Sequence, residues 1–230
     1  MFKVIATTTA VLASLITFAQ VSENRTIGGF SKLKASNGID VFYTVSNTVS
    51  VKVATDDNEK LQYIKTEVEG ETLKVFVETK KNNYSSSSRK GKNINGVHFK
   101  TLKVYITGKG LTAVKASSSS KIKIENLNSA NQIEIAASSS GSIVGNFDCD
   151  EMKVDVSSSG DFEGTVNAKT INIESSSSAD VYIVGKTTML MGMIENIYET
   201  MNIRVQETAF ELHLRKIYPT RNILSFRETD

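Results

Sequence analysis

From residue 25 onward the chain alternates apolar and polar positions along most of its length. In "NGIDVFYTVS" a turn at Asn37-Gly38 precedes Ile39, Val41, Tyr43 and Val45, which alternate with Asp40, Phe42 and Thr44. A period of two places one set of side chains on a buried face and the other in water, which predicts a strand. "TVSVKVATDD" puts Val49, Val51 and Val53 on one face, and "IKTEVEGETLKVFVET" reads as two strands joined around Glu69-Gly70-Glu71. Hairpins of this kind predict an antiparallel sheet with one wet face over residues 20–110. "VHFKTLKVYITG" resumes the pattern with Leu102, Val104 and Ile106 on one side.

From Leu111 the alternation becomes phased with serine. "KASSSSKIKI", "AASSSGSIVG", "DVSSSGDFEG" and "ESSSSADVYIVG" begin their serine runs at Ser117, Ser138, Ser157 and Ser176, separated by 21, 19 and 19 residues. A repeat near 20 residues is the mark of a solenoid. Between the runs lie Ile122 and Ile124, Ile133 and Ile135, Val154 and Val156, Ile171 and Ile173, then Val181 and Ile183. One such turn cannot cover its own apolar face, but turns stacked at about 4.8 Å bury a continuous column. The fold class predicted is all-β: an N-terminal antiparallel region leading into a parallel β-solenoid over residues 111–186, with turns of about 19–21 residues.

This phasing decides how the serines are read. A disordered linker has no reason to keep step with Ile and Val, and an O-glycosylated stalk would carry Pro and Thr among its serines. A serine nucleophile needs a base, yet neither histidine lies in the repeat and no Gly-x-Ser-x-Gly elbow occurs. Ser117, Ser138, Ser157 and Ser176 are therefore expected to be structural corners, whose hydroxyls donate and accept along the stack. Ser85–Ser88 has the same letters without the phase. It belongs to a basic, Ser/Asn/Gly-rich loop over residues 81–97, flanked or occupied by Lys80, Lys81, Arg89, Lys90 and Lys92. That segment reads as a solvated loop, with contact to an acidic glycan or another cell-surface polyanion as the sharper alternative.

Composition narrows the chemistry. Lys+Arg 27 against Asp+Glu 25 leaves +2, so no bulk charge points to nucleic acid. His98, His213 and Cys149 are too few and too scattered for a metal cluster, and no cofactor is expected. The nearest candidates for carbohydrate-cleaving acids are Asp148, Asp150 and Glu151, around Cys149. Adjacent acids on a polar turn are more simply solvated. The outward residues Lys121, Lys123 and Glu125, Glu134, Lys153 and Asp155, then Asn172 and Glu174, alternate in sign, as a solvated face does. "MFKVIATTTAVLASLITFAQ" has an early Lys3, an apolar stretch from Val4 to Ile16, and small residues before Gln20. It reads as a secretory signal cleaved after Ala19, too short for a membrane span.

"FSKLKASNGIDVFYTVSNTVSVKVATDDNEKLQYIKTEVEGETLKVFVE", followed by "VDVSSSGDFEGTV" and "IESSSSADVYIVG", resembles the head-GIN-domain family of autotransporter adhesins, exported proteins common in Bacteroidetes. The resemblance covers residues 26–186. It implies a β-rich, solenoid-like fold, export to the cell envelope and an adhesive role toward a glycan or cell-surface protein, and it brings no catalytic residues. After Gly185 the character changes: one serine, one glycine, the sole proline and four of the six methionines. Residues 187–230 are expected to be either a cap, with Met189, Ile194, Ile197 and Met201 loosely at helical spacing, or the product of a reading-frame shift near codon 187. The function expected is a non-enzymatic binding head, with an envelope scaffold or protein-binding partner, and then a carbohydrate-active enzyme, as alternatives.

Overall fold

The computed structural model describes residues 20–79, 91–195, 200–205, 211–216 and 224–226, and the side chains of residues 20–79 and 91–191. The signal segment, Lys80, Lys81, Arg89, Lys90, Ser85–Ser88 and Ile197 lie outside the described residues.

The strands are, in chain order, β1 (Val21–Arg25), β2 (Lys32–Ala35), β3 (Asp40–Val45) and β4 (Ser50–Thr55). A short 3-10 helix (Asn58–Tyr63) leads to β5 (Ile64–Glu69) and β6 (Thr72–Val77), then β7 (Lys92–Ile94), β8 (Val97–Phe99) and β9 (Leu102–Gly108). There follow β10 (Ala113–Ala116), β11 (Lys121–Ser129), β12 (Gln132–Ala137), β13 (Ser142–Ser157), β14 (Asp161–Ser176) and β15 (Asp180–Glu195). Last come β16 (Thr200–Val205), β17 (Glu211–Lys216) and β18 (Leu224–Phe226). Among the described residues no helix is long and apolar enough to cross a membrane.

The chain is wound into a parallel β-solenoid with two faces. On one face β6, β2, β10, β12 and the second halves of β13, β14 and β15 lie side by side in parallel register. On the other, β9, β3, β11 and the first halves of the same long strands do so. The long strands cross from one face to the other at Asp150 and Lys169, where the pairing skips a residue.

Stacking produces the columns that the alternation predicted. Leu73, Leu33, Val114, Ile135, Val154 and Ile173 are successive rungs of one, and Val104, Val41, Ile122, Ile143, Phe162 and Val181 of the other. All are buried. At about 25 cal/mol per Å² of apolar area, these facing columns are the main favourable contribution to folding. Phe147 and Phe162 pack with ring centroids 5.9 Å apart. A side chain at Gly164 would place a Cβ 2.8 Å from the Phe162 ring, so that position must stay bare.

The N-terminal region departs from expectation in one respect. Antiparallel pairing is confined to β1 with β4, β4 with β9 and β5 with β6 at its outer edge, and to the separate two-stranded sheet of β7 and β8. Strands β2 and β3 are themselves a coil of the solenoid, parallel to β6 and β10 and to β9 and β11. Asn37-Gly38 is thus not a hairpin turn but the first corner. Alternation is the same in either kind of sheet, so it cannot show which way a strand's partner runs.

The end of the chain also differs. Met189 and Ile194 lie in β15, in parallel register with Thr170 and Ser175 of β14, and Met201 lies in β16, paired to β15. These residues form strands, not a helix. The edge of β14 presents unpaired main-chain groups, and a following strand satisfies them while a helix would not.

Candidate functional site

Each serine phrase makes the same turn. Ser118 and Ser119, Ser139 and Ser140, Ser158 and Ser159, and Ser177 and Ser178 have φ between 51° and 62°, and Asn37 and Gly38 have 62° and 70°. The N–H of Ser120 donates to the carbonyl of Ser117 (3.1 Å), Gly141 to Ser138 (2.9 Å) and Gly160 to Ser157 (3.0 Å). Two consecutive left-handed residues closed by such a bond are a type I′ turn. Ser117, Ser138, Ser157 and Ser176 occupy the residue before each left-handed pair.

The bonds along the stack are made by the main chain, not by a hydroxyl column. Gly38 N–H donates to the Ser118 carbonyl (2.8 Å), Ser119 to Ser139 (3.0 Å), Ser140 to Ser158 (3.1 Å) and Ser159 to Ser177 (3.1 Å). The exposed hydroxyls face water, where they need no partner. One hydroxyl that is buried, Ser120 Oγ, lies 2.9 Å from the Ala35 carbonyl of the preceding coil.

The acids around Cys149 do not converge. Asp150 pairs with Lys169 at 2.7 Å, and Glu151 accepts from Gln132 Nε2 at 3.1 Å. Asp148 precedes the bend on the other face. Cys149 is buried, and burial first, then the charges of Asp148, Asp150 and Glu151, push its thiol up to about 11. An open groove of about 1140 Å³ runs past Asp150 and Glu151. Its charges are largely neutralised from within, by Lys32 with Glu71 (3.3 Å) and Lys169 with Asp150. Two further lining residues pair with neighbours outside it, Glu134 with Lys115 (2.7 Å) and Lys153 with Glu174 (3.8 Å).

The opposite face is different. Lys52 of β4, Tyr105 of β9, Phe42 of β3 and Lys123 of β11 are four consecutive rungs pointing outward. The Phe42 and Tyr105 rings stack with centroids 5.2 Å apart and planes 18° from parallel. Lys103 Nζ lies 5.7 Å from the Phe42 centroid, a cation–π distance. Tyr105 is 38% exposed. Among the described residues neither Lys52 nor Lys103 has a carboxylate within ion-pair distance. A cavity of about 380 Å³ adjoins Tyr105, lined also by Gln20, Ser22 and Lys52.

Of the basic loop residues named from sequence, Lys92 is within the described residues. Its ammonium donates to Asp40 Oδ1 (2.7 Å) and to the Gly38 carbonyl (2.6 Å), so it holds the first corner. The sequence reasoning did not single out Phe42 and Tyr105, although both sit in the polar phase of their strands. An aromatic residue out of phase with the core was the signal to follow.

Residues 29–187 match the family model described as "Putative auto-transporter adhesin, head GIN domain". The chain belongs to the head GIN domain family. No curated protein matches it. Among solved structures it is similar to a "putative lipid binding protein" from Parabacteroides distasonis, at 16% identity over 92% of this chain and 97% of that one, with a TM-score of 0.66. A "putative adhesin" from Bacteroides fragilis matches at 17% identity over 89% and 97%, TM-score 0.61. A second "putative adhesin" from Parabacteroides distasonis matches at 18% over 92% and 97%, TM-score 0.59. At these identities the likeness establishes the head GIN fold. The family and these neighbours carry names of adhesins or of a lipid-binding protein.

Proposed function

We propose that this head GIN chain is an exported, non-enzymatic binding head at the bacterial cell envelope, presenting the outer face of β4, β9, β3 and β11 to a glycan or another cell-surface component. The observation that carries this reading is the Phe42–Tyr105 stack, beside which Lys52 and Lys103 have no carboxylate within ion-pair distance among the described residues. Aromatic residues are enriched at contact surfaces relative to the rest of a protein's exterior. The solenoid supplies rigidity, because each rung is fixed by the main-chain ladder on both sides. A lipid ligand, the kind named for one structural neighbour, is less well supported: among the described residues the space between the two faces is filled by Phe147, Phe162, Met152 and the Ile and Val columns.

The test is genetic and biochemical. The protein is expected to fractionate with the envelope or the medium, and its deletion is expected to reduce attachment of the cells, restored by the gene in trans. A chain retained in the cytoplasm, or a deletion with unchanged attachment, overturns the reading.

A further inference from the structure

We infer that Lys52, Tyr105, Phe42 and Lys123, with Lys103 beside them, form a subsite for an acidic polysaccharide, one whose sugars carry carboxylate or sulfate groups. The inference rests on the binding-head reading above and names its ligand class.

Three features converge on that chemistry. The first is the aromatic pair. A pyranose ring has an apolar C–H face; Phe42 covers one face of the Tyr105 ring and holds it in place, which leaves the Tyr105 side that borders the cavity of about 380 Å³ to meet a sugar, a volume at the small end of ligand pockets. The second is the cavity's other lining. Gln20, Ser22 and Lys52 provide amide, hydroxyl and ammonium groups, the donors and acceptors that sugar hydroxyls and an acid group require. The third is charge. Among the described residues Lys52 and Lys103 have no carboxylate within ion-pair distance, whereas on the other face Lys32, Lys115, Lys153 and Lys169 do and Lys34 does not. Lys123 is shared with Glu125 at 3.0 Å, both exposed, and an incoming anion can compete for it.

The same face also sets a limit to the subsite. Continuing along the row past Lys123, the rungs are Val144, Glu163 and Tyr182, with Asp161 and Asp180 beside them. An anionic chain is therefore drawn to the β4–β11 end and repelled from the β14–β15 end. A single-stranded nucleic acid uses stacking and cations as well, but it needs a groove of cations tracking its backbone. Here a single cation, Lys52, lines the small cavity, and Lys103 lies over the Phe42 ring.

The experiment uses the full exported chain, with alginate and heparin as acidic polysaccharides, dextran as the neutral one, and oligo(dT) as a polyanion without the sugar face. Expected is salt-dependent binding to alginate or heparin, with dextran and oligo(dT) bound at least about tenfold more weakly. Tyr105→Thr, which keeps a strand-forming residue, is expected to weaken binding about tenfold. Lys52→Gln with Lys103→Gln should do the same and flatten the salt dependence. Lys153→Gln, on the opposite face, should change nothing. Polysaccharide binding unmoved by the Tyr105 and Lys52/Lys103 variants overturns the site while leaving the binding head standing. Equal binding of dextran overturns the acidic class, and preference for oligo(dT) overturns the sugar. Absence of any polysaccharide binding overturns the inference alone, since the attachment assay judges the binding-head reading separately.

Discussion

The main-chain N–H of Ser119 donates to the carbonyl of Ser139, one coil further along, at 3.0 Å. Both residues are left-handed, with φ of 61° and 51°, a region that costs a non-glycine residue about 1–3 kcal/mol. The stack tolerates it because the turn closes in the space available and each coil's corner completes the next coil's hydrogen bonding.

The strain makes a prediction at the corners. Ser139→Asn with Ser140→Gly restores the residues that type I′ turns favour, and should raise stability by about 1 kcal/mol. Ser140→Val, β-branched at positive φ, should lower it by about 1–3 kcal/mol. Urea-unfolding midpoints of the three proteins decide; a more stable Ser140→Val would contradict the turn assignment.

Asn128 replaces a strand partner with a side chain. Fully buried, it accepts from the Leu111 N–H (2.7 Å) and donates to the Leu111 carbonyl (2.9 Å). Asn128 lies just past the irregularity of β11 between Lys123 and Leu127, back in register with Phe147. Asn128→Ala would leave a buried donor and a buried acceptor unpaired, so a loss of about 2–4 kcal/mol is expected. The shift in thermal midpoint measures it, and Asn126→Ala, at an exposed position, should cost less.

Asp161 carries a pH signature. Burial, and then the neighbouring Asp180, raise its carboxyl above the usual value, against a lowering by Lys121. A raised acid binds its proton more tightly when folded. Its penalty is absent below the unfolded value of about 3.9 and fully present once pH exceeds the folded value. Asp161→Asn should therefore stabilise the protein at neutral pH and have no effect at pH 3. Unfolding midpoints measured at both pH values test the sign.

Cys149, with its thiol held up at about 11 by burial and three nearby acids, should be almost entirely protonated at pH 7. Alkylation by iodoacetamide is expected to be slow in the folded protein and to accelerate in urea, because the thiolate is the reactive form. Mass spectrometry of the labelled chain gives both rates. Fast labelling of the native protein would place Cys149 in a different environment.

Much of the architecture was legible in the order of residues. The period of 19–21, the Ile and Val alternation and the serine runs predicted stacked parallel turns, because a strand's phase and a repeat's spacing are local properties that any neighbour must respect. Pairing partners are not local. Asn37-Gly38 looks the same in a hairpin and in a solenoid corner, and only the arrival of β10 and β11 beside β2 and β3 made it a corner. Met189 and Ile194 became strand residues because β14 left an edge to be paired. The candidate site was hidden for the same reason. Phe42 and Tyr105 stand 63 positions apart, Lys52 and Tyr105 53, and each alone is an unremarked outward residue. Sequence determined which way their side chains point; tertiary stacking, by aligning β4, β9, β3 and β11 rung by rung, decided that they meet.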